Sequence, residues 1–209
     1  MGLLGKLFGA LRSSSAAGGE PDRVWWSRVV CNRAVLADVR AARAAGARVL
    51  VLAHFEETLL QLRAADGGGG VFGDDEPLML VRDAVSGARG ASAFQLVLVA
   101  ERHPLRSEDD AVAGWVGAGG APKVAFYVAL DDALLRLFGG DRTRELLGRL
   151  GMKEEDPIEH PFIDRSLRNA QEKVAARALG KTLRAGSAGE WLRQAGMHPD
   201  GPSPFGTEQ

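Results

Sequence analysis

The chain has 209 residues, 45% of them hydrophobic and 25% charged, with a formal net charge of −1. That length can bury a substantial core, and the balance is that of an ordinary soluble globular protein with no overall field to draw nucleic acid. A single cysteine, Cys31, excludes an internal disulfide and a thiolate metal cluster, and no run reaches the ~18 apolar residues of a bilayer-spanning helix.

Charge is unevenly placed. Residues 1–50 hold eight Lys/Arg against three Asp/Glu, and residues 51–140 hold seven against thirteen. A basic amino-terminal end suits an anionic membrane surface. In residues 2–12, Leu3, Leu4, Leu7, Phe8 and Leu11 recur at helical spacing, with Lys6 and Arg12 toward the other side. Two readings fit: a helix packed on its own domain, or an interfacial anchor. The apolar part of Met1–Leu11 is short and broken by Lys6 and glycines, so it does not read as a secretory signal.

Residues 13–21 are a linker of mainly small residues. A helix is predicted from about Val24 to Ala45, with Trp25, Val29, Leu36 and Val39 as its core face and Gly46 ending it. Arg48–Ala53 is a continuous apolar strand of the kind that a parallel sheet covers on both faces. Phe55–Ala65 reads as the returning helix, stopped by Asp66 and the glycines that follow. Further strands are predicted at Leu78–Val81, Gln95–Ala100 and Val124–Leu130. The strand–helix alternation argues for an α/β domain with right-handed crossovers. After Asp131 only helices are expected: Asp131–Phe138, Arg142–Leu150, Ile163–Leu183 and Ala188–Gln194, then a proline-rich irregular tail.

Few motifs carry chemistry. Ala175–Thr182 ends in Gly180-Lys181-Thr182, a loose echo of a phosphate loop, but a helical run rather than a strand precedes it, so it reads as a helix end. Glu56 and Glu57 could be an acid/base pair, yet carboxylates in a first helical turn are expected from the helix dipole alone. His103 has no second ligand near it in sequence, and a structural role is favoured over metal binding. No catalytic residue and no metal site are assigned.

One stretch is more specific. Phe126-Tyr127, Leu130–Phe138, Gly140-Asp141-Arg142, Leu150-Gly151-Met152, Pro157–Pro161 and Asn169–Val174 follow one another with few gaps. This succession resembles the end of the second nucleotide-binding domain of the SecA preprotein translocase family and its run into the helical scaffold. The resemblance implies a RecA-like (helicase C-terminal-like) α/β domain at 22–138, a scaffold-like helical segment at 139–196 and a tail at 197–209, behind an amphipathic helix (1–12) and a linker (13–21). It places Glu101, Arg102, His103, Arg106 and Asp109 at a residual nucleotide-binding element. Gly114, Gly117 and Gly120 imply that the element's backbone turns are kept. Where the family has its arginines, however, this chain has Trp115 and Ala118, which cannot donate charged hydrogen bonds to a phosphoryl group. Trp115 would cover the surface where nucleotide lies, or meet a partner. His160 would fix the turn entering the scaffold helix. Only eleven residues separate Arg12 from Val24, where the family has its first motor domain.

The resemblance therefore implies a degenerate, non-catalytic SecA-like protein, cytoplasmic and peripheral at the inner membrane. Leu3, Leu4, Lys6, Leu7, Phe8, Leu11 and Arg12 would contact that membrane. Its partner would be the translocation motor, its channel or a preprotein, and no cofactor is expected. The alternative is an ATPase half-subunit that binds ATP or ADP with a separate phosphate-loop-bearing protein, Arg102 and Arg106 then serving the phosphates.

Overall fold

In the computed structural model the described residues are 22–73, 77–87, 90–119, 123–158, 161–178 and 183–200. The amphipathic stretch 2–12, the linker 13–21, His160 and Gly180–Thr182 lie outside them. The elements are β1 (Arg23–Trp25), α1 (Arg28–Ala44), β2 (Val49–Ala53), α2 (Glu56–Asp66), β3 (Leu78–Leu80), α3 (Val81–Ser86), β4 (Leu96–Val99), α4 (Arg106–Ala118), β5 (Lys123–Ala129), α5 (Ala133–Leu137), α6 (Gly140–Arg149), α7 (Pro161–Ala178) and α8 (Ala188–Gln194). The strands form one parallel sheet in the order β1-β5-β4-β2-β3. This is an open, doubly wound parallel α/β sheet followed by helices, the fold class expected from the sequence.

Side-chain alternation sorts the sheet's two faces. Val49, Val51, Leu98, Ala125 and Tyr127 point to the face covered by α1 and α2, where they meet Cys31, Val35, Leu36, Val39 and Leu62. Leu50, Leu52, Val97, Val99 and Phe126 point to the other, covered by α3 and α4 through Val81, Ala84, Val112 and Val116. All five residues of β2 are buried, which is why that strand reads as an unbroken apolar run. A third cluster joins Phe55, Val128 and Leu130 to α5, α7 and α8. The helical segment therefore shares a core with the sheet.

Local signals explain most boundaries. Ser27 caps α1, accepting from the Val30 amide, and Gly67 closes α2 in the left-handed conformation at φ 57°. Three expectations need correction. Arg23–Trp25 is a strand paired with β5, not the start of α1, so Trp25 lies outside the helix and Val29 is 61% exposed. A three-residue strand is too short for its period to show, and helical spacing absorbed it. The short helix α3 begins directly where β3 ends. The stretch from Ala111 through Gly117 is continuous helix within α4, with no backbone turn at Gly114 or Gly117. A Cβ at either glycine would meet nothing within 4 Å, so neither is required for space.

Candidate functional site: the crevice between β2 and β4

β2 leads through α2 on one face to β3, and β4 leads through α4 on the other face to β5. Strand connections thus diverge between β2 and β4, and in open α/β sheets the crevice beyond the strands' carboxyl ends at such a point is where ligands bind. His54 and Phe55 follow β2 into this crevice, and Glu101-Arg102-His103 follow β4. The chain has filled it with its own side chains.

Glu101 is buried and accepts from the Phe55 amide (2.9 Å) and the Thr58 hydroxyl (2.7 Å), spending its carboxylate on the start of α2. Burial pushes its pKa up, opposed by Arg28, His54 and these hydrogen bonds. Arg102 lies 3.6 Å over the Phe126 ring, and its guanidinium pairs with Asp22 and, at 3.4 Å, with Asp109. Burial alone would lower the Arg102 pKa; Asp22 and Asp109 outweigh it and hold the guanidinium above its ordinary value.

Asp109, 1% exposed, is the hub. Its carboxylate accepts from the His103 amide (3.0 Å) and the Gln171 side-chain amide (2.7 Å) and lies beside Arg102. His54 Nε2 stands 3.0 Å from Asp109 Oδ1, at an angle that leaves it without a well-formed hydrogen bond. Burial pushes the Asp109 pKa up, but His54, Arg102 and the His103 amide draw it below the usual carboxylate value. Asp22 goes the other way: burial dominates there despite Arg102. Asp109 is therefore the more firmly ionised partner of Arg102. Gln171, from α7, also donates to the His103 carbonyl at 2.8 Å, so this network ties the sheet to α7.

His103 is a buried, uncharged imidazole. Its Nδ1 accepts from the Leu105 amide (3.0 Å), its ring stacks on Phe55 with centroids 5.3 Å apart, and Trp191 of α8 meets it edge-on at 5.4 Å. Burial, reinforced by His54, brings its pKa down to about 3.

Of the five residues predicted at the nucleotide element, four converge in this network and face inward. Arg106 alone stands at the surface, half exposed, 3.6 Å from Asp110 one turn on. Trp115 sits about 14 Å further along α4, by the helical rise. There it borders a hollow of about 200 Å³ with Leu50, Pro77, Met79 and Phe94. It does not cover the crevice. Glu56 faces solvent and accepts from Arg82 at 2.7 Å.

Residues of the 126–174 succession and its surroundings have structural work as well. Asp132 takes the Arg28 guanidinium in a two-pronged pair and accepts from the Ala129 amide at 2.9 Å, while Asp131 accepts from the Arg28 amide at 2.7 Å. Ile158 pairs its backbone with Val24 on the outer side of β1, its amide donating to the Val24 carbonyl at 2.8 Å. Sequence reasoning missed Asp22, Thr58, Gln171 and Trp191 as members of the site. Only Gln171 left a signal, inside Asn169–Val174.

The fold and site define a parallel α/β domain whose crevice beyond β2 and β4 is lined by buried, mutually paired side chains. A family model described as "SecA P-loop domain" matches residues 84–155. A protein translocase subunit SecA from Sorangium cellulosum is 44% identical over 82 residues, and one from Methylococcus capsulatus is 46% identical over 82 residues; each match takes in 39% of this chain. These matches cover 8% and 9% of the two relatives, so the chain spans less than a tenth of their length. The chain therefore carries a SecA-family region. Among solved structures, the C-terminal part of the Fun30 ATPase domain is similar over 69% of this chain and 53% of that one, at 12% identity and a TM-score of 0.38. No helix among the described residues is long and apolar enough to cross a membrane.

Proposed function

We propose that this protein is an accessory factor in protein translocation, one that carries the joint between a SecA-like motor domain and its scaffold helix without turning over ATP. The observation that carries this reading is the fate of the Glu101–His103 element. Its charged groups are consumed by Thr58, Asp22, Asp109 and Gln171, and Trp115 and Ala118 stand where the family's arginines are expected. Phosphoryl transfer depends on charge aimed at the transferred group, and an arginine supplied there is worth orders of magnitude in rate. Here Arg102 would first have to leave two carboxylates and an aromatic ring. The half-subunit alternative needs that same movement, so the accessory reading is preferred.

On this reading residues 2–12 bring the protein to the cytosolic face of the membrane, and the exposed side of α7 is offered to the translocation motor or its channel. The test is translocation of a preprotein into membrane vesicles by a SecA motor, with and without this chain. A changed rate is expected, with no ATP hydrolysis by the chain alone. An unchanged rate, or turnover by the purified chain, overturns the reading.

A further inference from the structure

Residues 183–197 lie beyond residues 84–155, which the family model matches, and pack α8 against Phe55 and His103 at the crevice. This helix is self-contained. Ser187 Oγ accepts from the Glu190 amide at 3.1 Å, and the Glu190 carboxylate accepts from the Gly186 amide at 2.8 Å, closing its first turn reciprocally. Trp191, Leu192 and Met197 are 2%, 0% and 0% exposed and insert among Phe55, Leu134 and Leu137. Just ahead of the helix, the Gly186 carbonyl accepts from the Glu57 amide at 2.9 Å, at the start of α2. Side-chain burial and that hydrogen bond hold the strap in place; strand pairing has no part in it. The arrangement is helix-in-groove recognition, with aromatic and aliphatic anchors on one face, supplied by the same chain.

We propose that the crevice is a docking groove for a partner helix presenting a tryptophan–leucine pair, and that α8 is its intramolecular occupant, displaced when such a helix binds. The proposal stands on packing and is independent of the translocation reading. A short tether gives the resident helix an effective concentration in the millimolar range, so the groove is closed to weak competitors and opens only to a helix that fits better. Displacement would also uncover the Glu57 amide and the His103 ring, making the sheet's ligand crevice accessible. α8 is thus an autoinhibitory contact.

The test uses a fluorescein-labelled peptide of residues 183–200 and the full chain, with binding read by fluorescence anisotropy and integrity of the sheet by amide hydrogen exchange. The wild-type chain should bind the peptide only near millimolar concentration. A Trp191→Ala chain loses the main anchor of its own α8, and should bind the peptide at least about ten-fold more tightly. The peptide made with Trp191→Ala should not bind. Ser187→Ala in the chain removes only the cap of α8, leaves the core intact, and should tighten peptide binding about five-fold. Two results overturn the proposal. One is that chains with protected sheets bind the peptide no better than wild type; the other is that the peptide lacking tryptophan binds equally well.

Discussion

Acid should destabilise this protein through His103. The unfolded chain takes a proton on this imidazole near the ordinary value of 6.5, whereas the native site resists it until about 3. Between those values the unfolded state binds more protons than the native state, so stability rises with pH across the window and is lost as pH falls through it. The slope is about 1.4 kcal/mol per pH unit, which puts the loss at pH 5 at about 2 kcal/mol. Glu101 acts in the opposite sense: its raised pKa means that the native state binds the proton more readily, and it gains stability on acidification. The two are separated by comparing the wild type with His103→Asn, whose side-chain oxygen can still accept from the Leu105 amide. Urea unfolding of both proteins from pH 7.5 to pH 5 should show the wild type losing about 2 kcal/mol more than the variant. Parallel curves would refute the assignment of His103 as a buried neutral imidazole.

Other perturbations follow from the same contacts. Gly140→Ala would place a Cβ 2.2 Å from the Leu130 carbonyl oxygen and 3.1 Å from the Leu135 backbone, so it should cost about 3 kcal/mol or more, read as a fall in urea midpoint. Gln171→Ala leaves the His103 carbonyl and an Asp109 oxygen without their buried donor and should cost about 2–4 kcal/mol, with exchange accelerating first in α7. Cys31 is fully buried and burial pushes its thiol up to about 12, so a thiol reagent at pH 8 should label it only at the rate of unfolding. Rapid labelling of the native protein would contradict its placement.

What could be read in the sequence follows from the physics of each element. β2 and β5 were legible because strands buried on both faces are continuous apolar runs, and α8 was expected at the bounds it has, its start fixed in the structure by the Ser187 and Glu190 caps. β1 was not legible: three residues carry no period, and their pairing with Tyr127–Ala129 is a long-range fact. α4 was read as a turn-rich element because three spaced glycines matched a family pattern, yet Val112 and Val116 at helical spacing face the core and decided the outcome. Within the site, Glu101, Arg102, His103 and Asp109 were found as a group from resemblance, but their roles were not. Those roles depend on Asp22, Thr58 and Gln171, which lie far away in the chain and carry no local pattern. Trp191 belongs to no motif, and its place against His103 could be known only from the fold.

The central claim is that the Glu101–Arg102–His103 element with Asp109 has become a structural joint and no longer holds nucleotide. Titration of the full chain with magnesium-ATP, by calorimetry and by shift in melting temperature, tests it most directly. The account predicts no heat of binding and an unchanged melting temperature at millimolar nucleotide, with Arg102→Ala lowering stability for want of a partner to Asp22 and Asp109. Micromolar binding that Arg102→Ala abolishes would contradict it.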